Sequence, residues 1–137
     1  MLLPIKKIIC PTDFSEPSYE ALKAADELAL HFSAELLLMH VVSPVPAYAT
    51  PVASAASTAS IGFVASYQQE LQVYAKKSLD QVVQERVSEG IESSTMVHIG
   101  DAAKVIVETA TAEDVDLIVI ATHGLTGWQR FMFGSVA

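Results

Sequence analysis

A chain of 137 residues has the length of one domain, and at that size folding buries roughly two-thirds of the unfolded surface in a single core. Half of the residues are hydrophobic (51%). The longest uninterrupted apolar runs are nevertheless about five residues, against the roughly 20 needed to cross a bilayer. Eight basic against sixteen acidic residues give a net charge of −8, which disfavours general attraction to nucleic acid or an anionic membrane.

The N-terminus MLLPIKKIICPTD places its lysines after its short apolar stretches and lacks a small-residue cleavage site, so a cytoplasmic location is the expectation. Lys7 to Cys10 reads as a buried strand that Pro11 hands over to a loop, Thr12-Asp13-Phe14-Ser15. Ser15 is the expected N-cap of a helix with Pro17 in its first turn. Ala21, Leu22, Ala25, Leu28, Ala29 and Phe32 then recur at helical spacing. Glu35 to Val42, ELLLMHVV, predicts a second strand apolar on both faces.

Residues 43–60 combine three prolines with many small residues and no clear period, the composition of a flexible insertion. A helix is expected from about Ile61 to Glu89 through Tyr67, Leu71, Tyr74, Ala75, Ser78 and Val82, with Gly90 as its C-terminal cap. Thr95 to Ile99 suggests a third strand. Gly100-Asp101 opens a helix with Ala103, Ile106, Val107 and Ala110 on its apolar face, and Val115 to Ala121 closes a fourth strand.

Strands alternating with helices of crossover length predict α/β architecture: one three-layer sandwich over residues 1–137, with a mostly parallel, doubly wound sheet. Ligands in such sheets sit beyond the carboxyl ends of the strands, where the winding direction reverses. Pro11-Thr12-Asp13 and the run ATHGLTGWQRFMFGSVA both follow strands. The latter is neither a dinucleotide fingerprint nor a Walker loop. Its Gly124 and Gly134-Ser135 still suit an anion, because glycines permit close backbone approach and Ser135 offers an N–H and a hydroxyl at a helix start.

At this point the chain closely resembles the universal stress protein family, whose ATP-binding members carry Gly, two residues, Gly, nine residues, then Gly and Ser or Thr after the fourth strand. Ala121 stands in the first glycine position, while Gly124, Gly134 and Ser135 match. IICPTDFSEPSYEAL, LLLMHVV and IGDAAKVIVETATAEDVDLIVIATHG match other family segments in order. The resemblance implies that Pro11, Thr12 and Asp13 lie beside an adenosine and Val41 near the adenine. Gly124, Gly134, Ser135 and Val136 would line the triphosphate, with Mg or Mn bridging the phosphates. The Ala121 methyl implies weaker or slightly displaced binding.

The implied function is an ATP-binding regulatory module of the stress response, acting through homodimer, higher-oligomer or partner contacts. A nucleotide-independent dimeric interaction protein with a vestigial site is the alternative. An enzyme cleaving or transferring AMP lacks its additional signature residues, and no complete hydrolytic centre is evident, so slow ATP hydrolysis is the most expected. No catalytic residue is assigned. Family members usually continue through a further helix and strand, so the expectation is a truncated chain or oligomer contacts that replace those elements. Asp13 either meets the nucleotide or braces its own loop, and Arg130 either approaches phosphate or forms a surface ion pair. His31, His40, His98 and His123 show no metal-site spacing and read as structural or exposed residues, and Cys10 reads as a small core residue.

Overall fold

The computed structural model describes residues 4–44, 58–122 and 136–137. Most of the 43–60 insertion and the loop bearing His123, Gly124, Arg130, Gly134 and Ser135 lie outside them. Seven elements follow in order: β1 (Lys7–Pro11), α1 (Glu16–Phe32), β2 (Glu35–Val42), α2 (Thr58–Arg86), β3 (Ser93–Ile99), α3 (Ala102–Ala112) and β4 (Leu117–Ile118). The sheet is parallel throughout, in the order β3-β2-β1-β4. Winding proceeds outward from β1 through β2 to β3 and then returns to the far side of β1, so the switch point lies between β1 and β4.

Alternation along the central strands feeds two cores. Ile8, Cys10, Leu36 and Leu38 pack with Leu22, Ala25 and Ala29 of α1 and Leu79 and Val82 of α2. Ile9, Leu37 and Met39 face the other way and pack with Ile106 of α3. These are the three layers and the double winding expected from the alternating elements. No helix among the described residues is long and apolar enough to cross a membrane.

Local chemistry explains most element ends. Ser15 caps α1 by accepting from the Ser18 N–H, and Pro17 sits in the first turn, where its missing N–H does no harm. Ser33, at φ 54°, turns the chain out of the helix. Asp101 caps α3 by accepting from the Lys104 N–H at 3.0 Å. Before it, Gly100 adopts φ +152°, where an added Cβ would stand 2.8 Å from Val105 Cγ2.

Several expected boundaries and faces are corrected. α2 runs Thr58–Arg86 rather than Ile61 to Glu89, taking in the last residues of the expected insertion. Its end is set from another helix: the buried Asp26 of α1 accepts from the Ser88 N–H at 2.8 Å and the Ser88 hydroxyl at 2.6 Å. Gly90 therefore serves in the following turn, at φ 91°, instead of capping the helix. The buried face of α2 is Ala75, Leu79 and Val82, leaving Tyr67 and Tyr74 at 45% and 72% exposure. On α3 the inward positions are Ile106 and Thr109, flanked by Ala102, Val105 and Ala110, whereas Val107 is 60% exposed. β3 starts two residues early because an edge strand tolerates Ser93 and Ser94. β4 is shorter than Val115 to Ala121, since Val115 donates to Ala110 O at 2.9 Å and finishes the turn out of α3.

Two outcomes are expected. Asp26→Ala should lower unfolding free energy by about 1–3 kcal/mol, read as a reduced denaturant midpoint at unchanged slope; an unchanged midpoint would show that the clamp contributes nothing. Burial pushes the Cys10 thiol up to about 12. The native chain should therefore resist alkylation near neutral pH, while the denatured chain should take up one label at its single cysteine.

Candidate functional site

From Ile8 to Pro11 β1 is apolar, so the first polar side chains after it at the switch point are those of Thr12 and Asp13. Both lie in the turn between β1 and α1 together with Phe14, whose φ is 64°. A bulky residue in that region carries strain of order 1–3 kcal/mol and persists there only where its surroundings hold it. The turn supplies that hold. The Thr12 N–H donates to Met39 O at 2.8 Å, and the Phe14 N–H donates to Thr12 Oγ1 at 3.0 Å. Asp13 Oδ1 accepts from the Ser15 N–H at 3.0 Å and also from the Ser15 hydroxyl.

Proton counting fixes the direction of the buried hydroxyl chain. Ser18 Oγ donates its only proton to Ser15 O at 2.7 Å. In its 2.8 Å contact with Thr12 Oγ1 it must therefore accept, so Thr12 is the donor. The Thr12 hydroxyl thus donates to Ser18 and accepts from Phe14, and its carbonyl meets His40 Nδ1 at 2.8 Å. Thr12, Ser15 and Ser18 are all buried. Thr12 shapes the turn through these bonds, and Asp13 has the bracing geometry that was one of its two expected roles.

The neighbouring strands surround this turn. The registered pairing of β1 with β2 ends at Pro11↔Met39, and Val41 follows two residues further along β2. Val41 is half-buried against the core of Ile9, Leu37 and Met39. On the opposite side the pairing ends at Ile9↔Ile118, and the half-buried Ala121 follows three residues later. The Val119 N–H donates to Ile9 O at 2.9 Å, carrying the alignment past the short β4. Pro11, Thr12, Asp13, Val41 and Ala121 thus lie at or just beyond the carboxyl ends of three adjacent strands. Val136 is described and 38% exposed, whereas Gly124, Gly134 and Ser135 lie outside the described residues.

Among the other candidates, Cys10 is fully buried in the α1 and α2 core, remote in character from a nucleophile. His31 packs edge-on against Phe32 and His98 is half-buried on β3. His40, one of the histidines expected to be structural or exposed, meets the Thr12 carbonyl, a specific contact that sequence reasoning did not foresee. Its signal was a lone polar side chain inside an apolar strand. Thr12→Val, which preserves shape and removes both hydroxyl bonds, should destabilise the fold by about 1–3 kcal/mol; a thermal or denaturant transition identical to that of the parent would contradict the network.

Known proteins share this fold over nearly the full chain. A model of the universal stress protein family matches residues 4–137. Universal stress protein MJ0531 of Methanocaldococcus jannaschii is 35% identical over 132 residues, covering 96% of this chain and 73% of that protein. Universal stress protein MJ0577 of the same organism is 28% identical over 142 residues, covering 99% of this chain and 88% of that protein. The solved structure of MJ0577 matches with a TM-score of 0.82 at 27% identity, over 98% of this chain and 86% of that one. Universal stress protein UspA from Lactobacillus plantarum gives a TM-score of 0.79 at 22% identity, over 98% and 89% of the two chains, a likeness of fold. With sequence and fold agreeing from the first strand onward, the chain belongs to the universal stress protein family.

Proposed function

We propose that this chain is an ATP-binding regulatory module of the stress response, working in the cytoplasm and passing nucleotide state on through homodimer, higher-oligomer or partner contacts. The observation that carries this reading is the hydrogen-bonded Pro11-Thr12-Asp13 turn at the β1/β4 switch point, facing the strand that leads into the glycine-spaced run. Brackets of this kind at the reversal of a doubly wound sheet are where such folds take their ligands.

In this reading Val41 supplies an apolar wall for the base, and Asp13, between two anchored neighbours, stands beside the ribose. Gly124, Gly134, Ser135 and Val136 would receive the triphosphate through backbone N–H groups and the serine hydroxyl. A chain of net charge −8 gains from a cation that arrives with the phosphates. Asp13, the carboxylate at this edge, is engaged by Ser15, and no group of three His, Cys, Asp or Glu gathers among the described residues. In this reading Mg or Mn would be ligated by phosphate oxygens and water. The cation would neutralise phosphate charge. The function is signalling by occupancy, with hydrolysis slow at most.

Native mass spectrometry of the purified chain together with calorimetry against ATP and Mg tests the proposal. An adenine nucleotide in the purified protein, or a saturable heat of binding, is expected. Neither bound nucleotide nor binding heat would overturn it in favour of a nucleotide-independent interaction protein. Ala121→Gly should tighten binding by about three- to tenfold, through closer backbone approach.

A further inference from the structure

The registered pairing of β1 with β2 stops at Pro11↔Met39. One step beyond, a side chain replaces the ladder: His40 Nδ1 lies 2.8 Å from the Thr12 carbonyl. A carbonyl oxygen can only accept, so Nδ1 carries the ring proton, and in the neutral imidazole Nε2 is the unprotonated nitrogen. The same ring lies against Phe14, with centroids 4.7 Å apart and planes tilted by 44°. Phe14 is the residue held at φ 64°. One side chain from β2 therefore grips the residue before Asp13 and the residue after it.

We infer that His40 is the positioning residue of the β1 turn, its Nδ1–H holding the Thr12 carbonyl and its ring seating Phe14, so that Asp13 is presented at the crevice in one fixed orientation. Neither contact depends on a ligand. The consequence for binding rests on the nucleotide reading above: a turn already set loses less freedom when the ligand arrives, and loosening it weakens affinity without removing any group that touches nucleotide.

The test separates the grip from the function. Heteronuclear NMR of the imidazole nitrogens in the wild-type chain reports the tautomer, and amide hydrogen exchange at Phe14 and Ser15 reports the turn. Two variants dissect the side chain: His40→Phe keeps an aromatic plane but loses the donor, while His40→Asn keeps a donor near the Nδ1 position. The expected result is an Nδ1–H tautomer. His40→Phe should exchange Phe14 and Ser15 amides about tenfold faster while the global transition moves little, and should bind ATP about tenfold more weakly. His40→Asn should recover most of that affinity. An Nε2–H tautomer in the wild type overturns the inference without any variant. Unchanged exchange in His40→Phe overturns it as well, as does a failure of His40→Asn to outperform His40→Phe. If wild-type protein binds no ATP, the nucleotide reading falls, while the tautomer and the exchange rates still decide the role of His40.

Discussion

The position of β1 constrains everything around it. It pairs on both edges, with β2 and β4, and is covered on both faces, so Ile8, Ile9 and Cys10 are fully buried. Such a strand has no room for a polar side chain along its length. Its charged interactions are displaced to its two ends. At the amino end Asp116 accepts from the Lys6 and Lys7 N–H groups at 2.8 and 3.0 Å, and Lys7 reaches Glu113 at 3.4 Å. The carboxyl end is where polar side chains first meet the open edge of the sheet. The location of the candidate site is thus a consequence of how completely the central strand is enclosed.

That enclosure also explains why the turn is so fully hydrogen-bonded. Thr12, Ser15 and Ser18 are buried, and a buried hydroxyl without a partner costs stability. Their bonds run in one direction, from Thr12 to Ser18 to the Ser15 carbonyl. The residues of the proposed site differ in kind: Thr12 imposes the shape of the turn through its bonds, while Val41 and Ala121 would act through the surface they present. Strain at Phe14 is met by Thr12 of the turn itself and His40 of β2 together.

Signals confined to a few neighbouring residues were legible in the sequence. Ser15 with Pro17, Asp101 after Gly100 and the whole of β2 follow from local capping and from an apolar run of strand length. Of the candidate site, Pro11-Thr12-Asp13 could be placed after a strand from sequence, while Gly124, Gly134 and Ser135 lie outside the described residues. What escaped depends on long-range contacts. The end of α2 is set by Asp26, 62 residues before Ser88. The His40 bond to Thr12 spans 28 residues. Helix faces held at Ala75, Val82 and Ile106 but took in Tyr74 and Val107, which look like core residues by composition, and only packing shows that Leu79 and Thr109 take inward places. β4 was over-read because an apolar run does not reveal how much of it a neighbouring strand will pair.

Cys10 carries a consequence for what kind of stress such a protein can register. It is the sole cysteine of the chain, sealed beneath α1 and α2 in the same core as Ile8 and Leu38. Thiol-based redox signalling needs a sulfur that an oxidant or a second thiol can reach, and one with accessible thiolate character. Neither holds while the fold is intact. A shift in the cellular thiol–disulfide balance would reach this sulfur only after the core opened, so oxidation of Cys10 would mark a chain that has already failed rather than one that is responding.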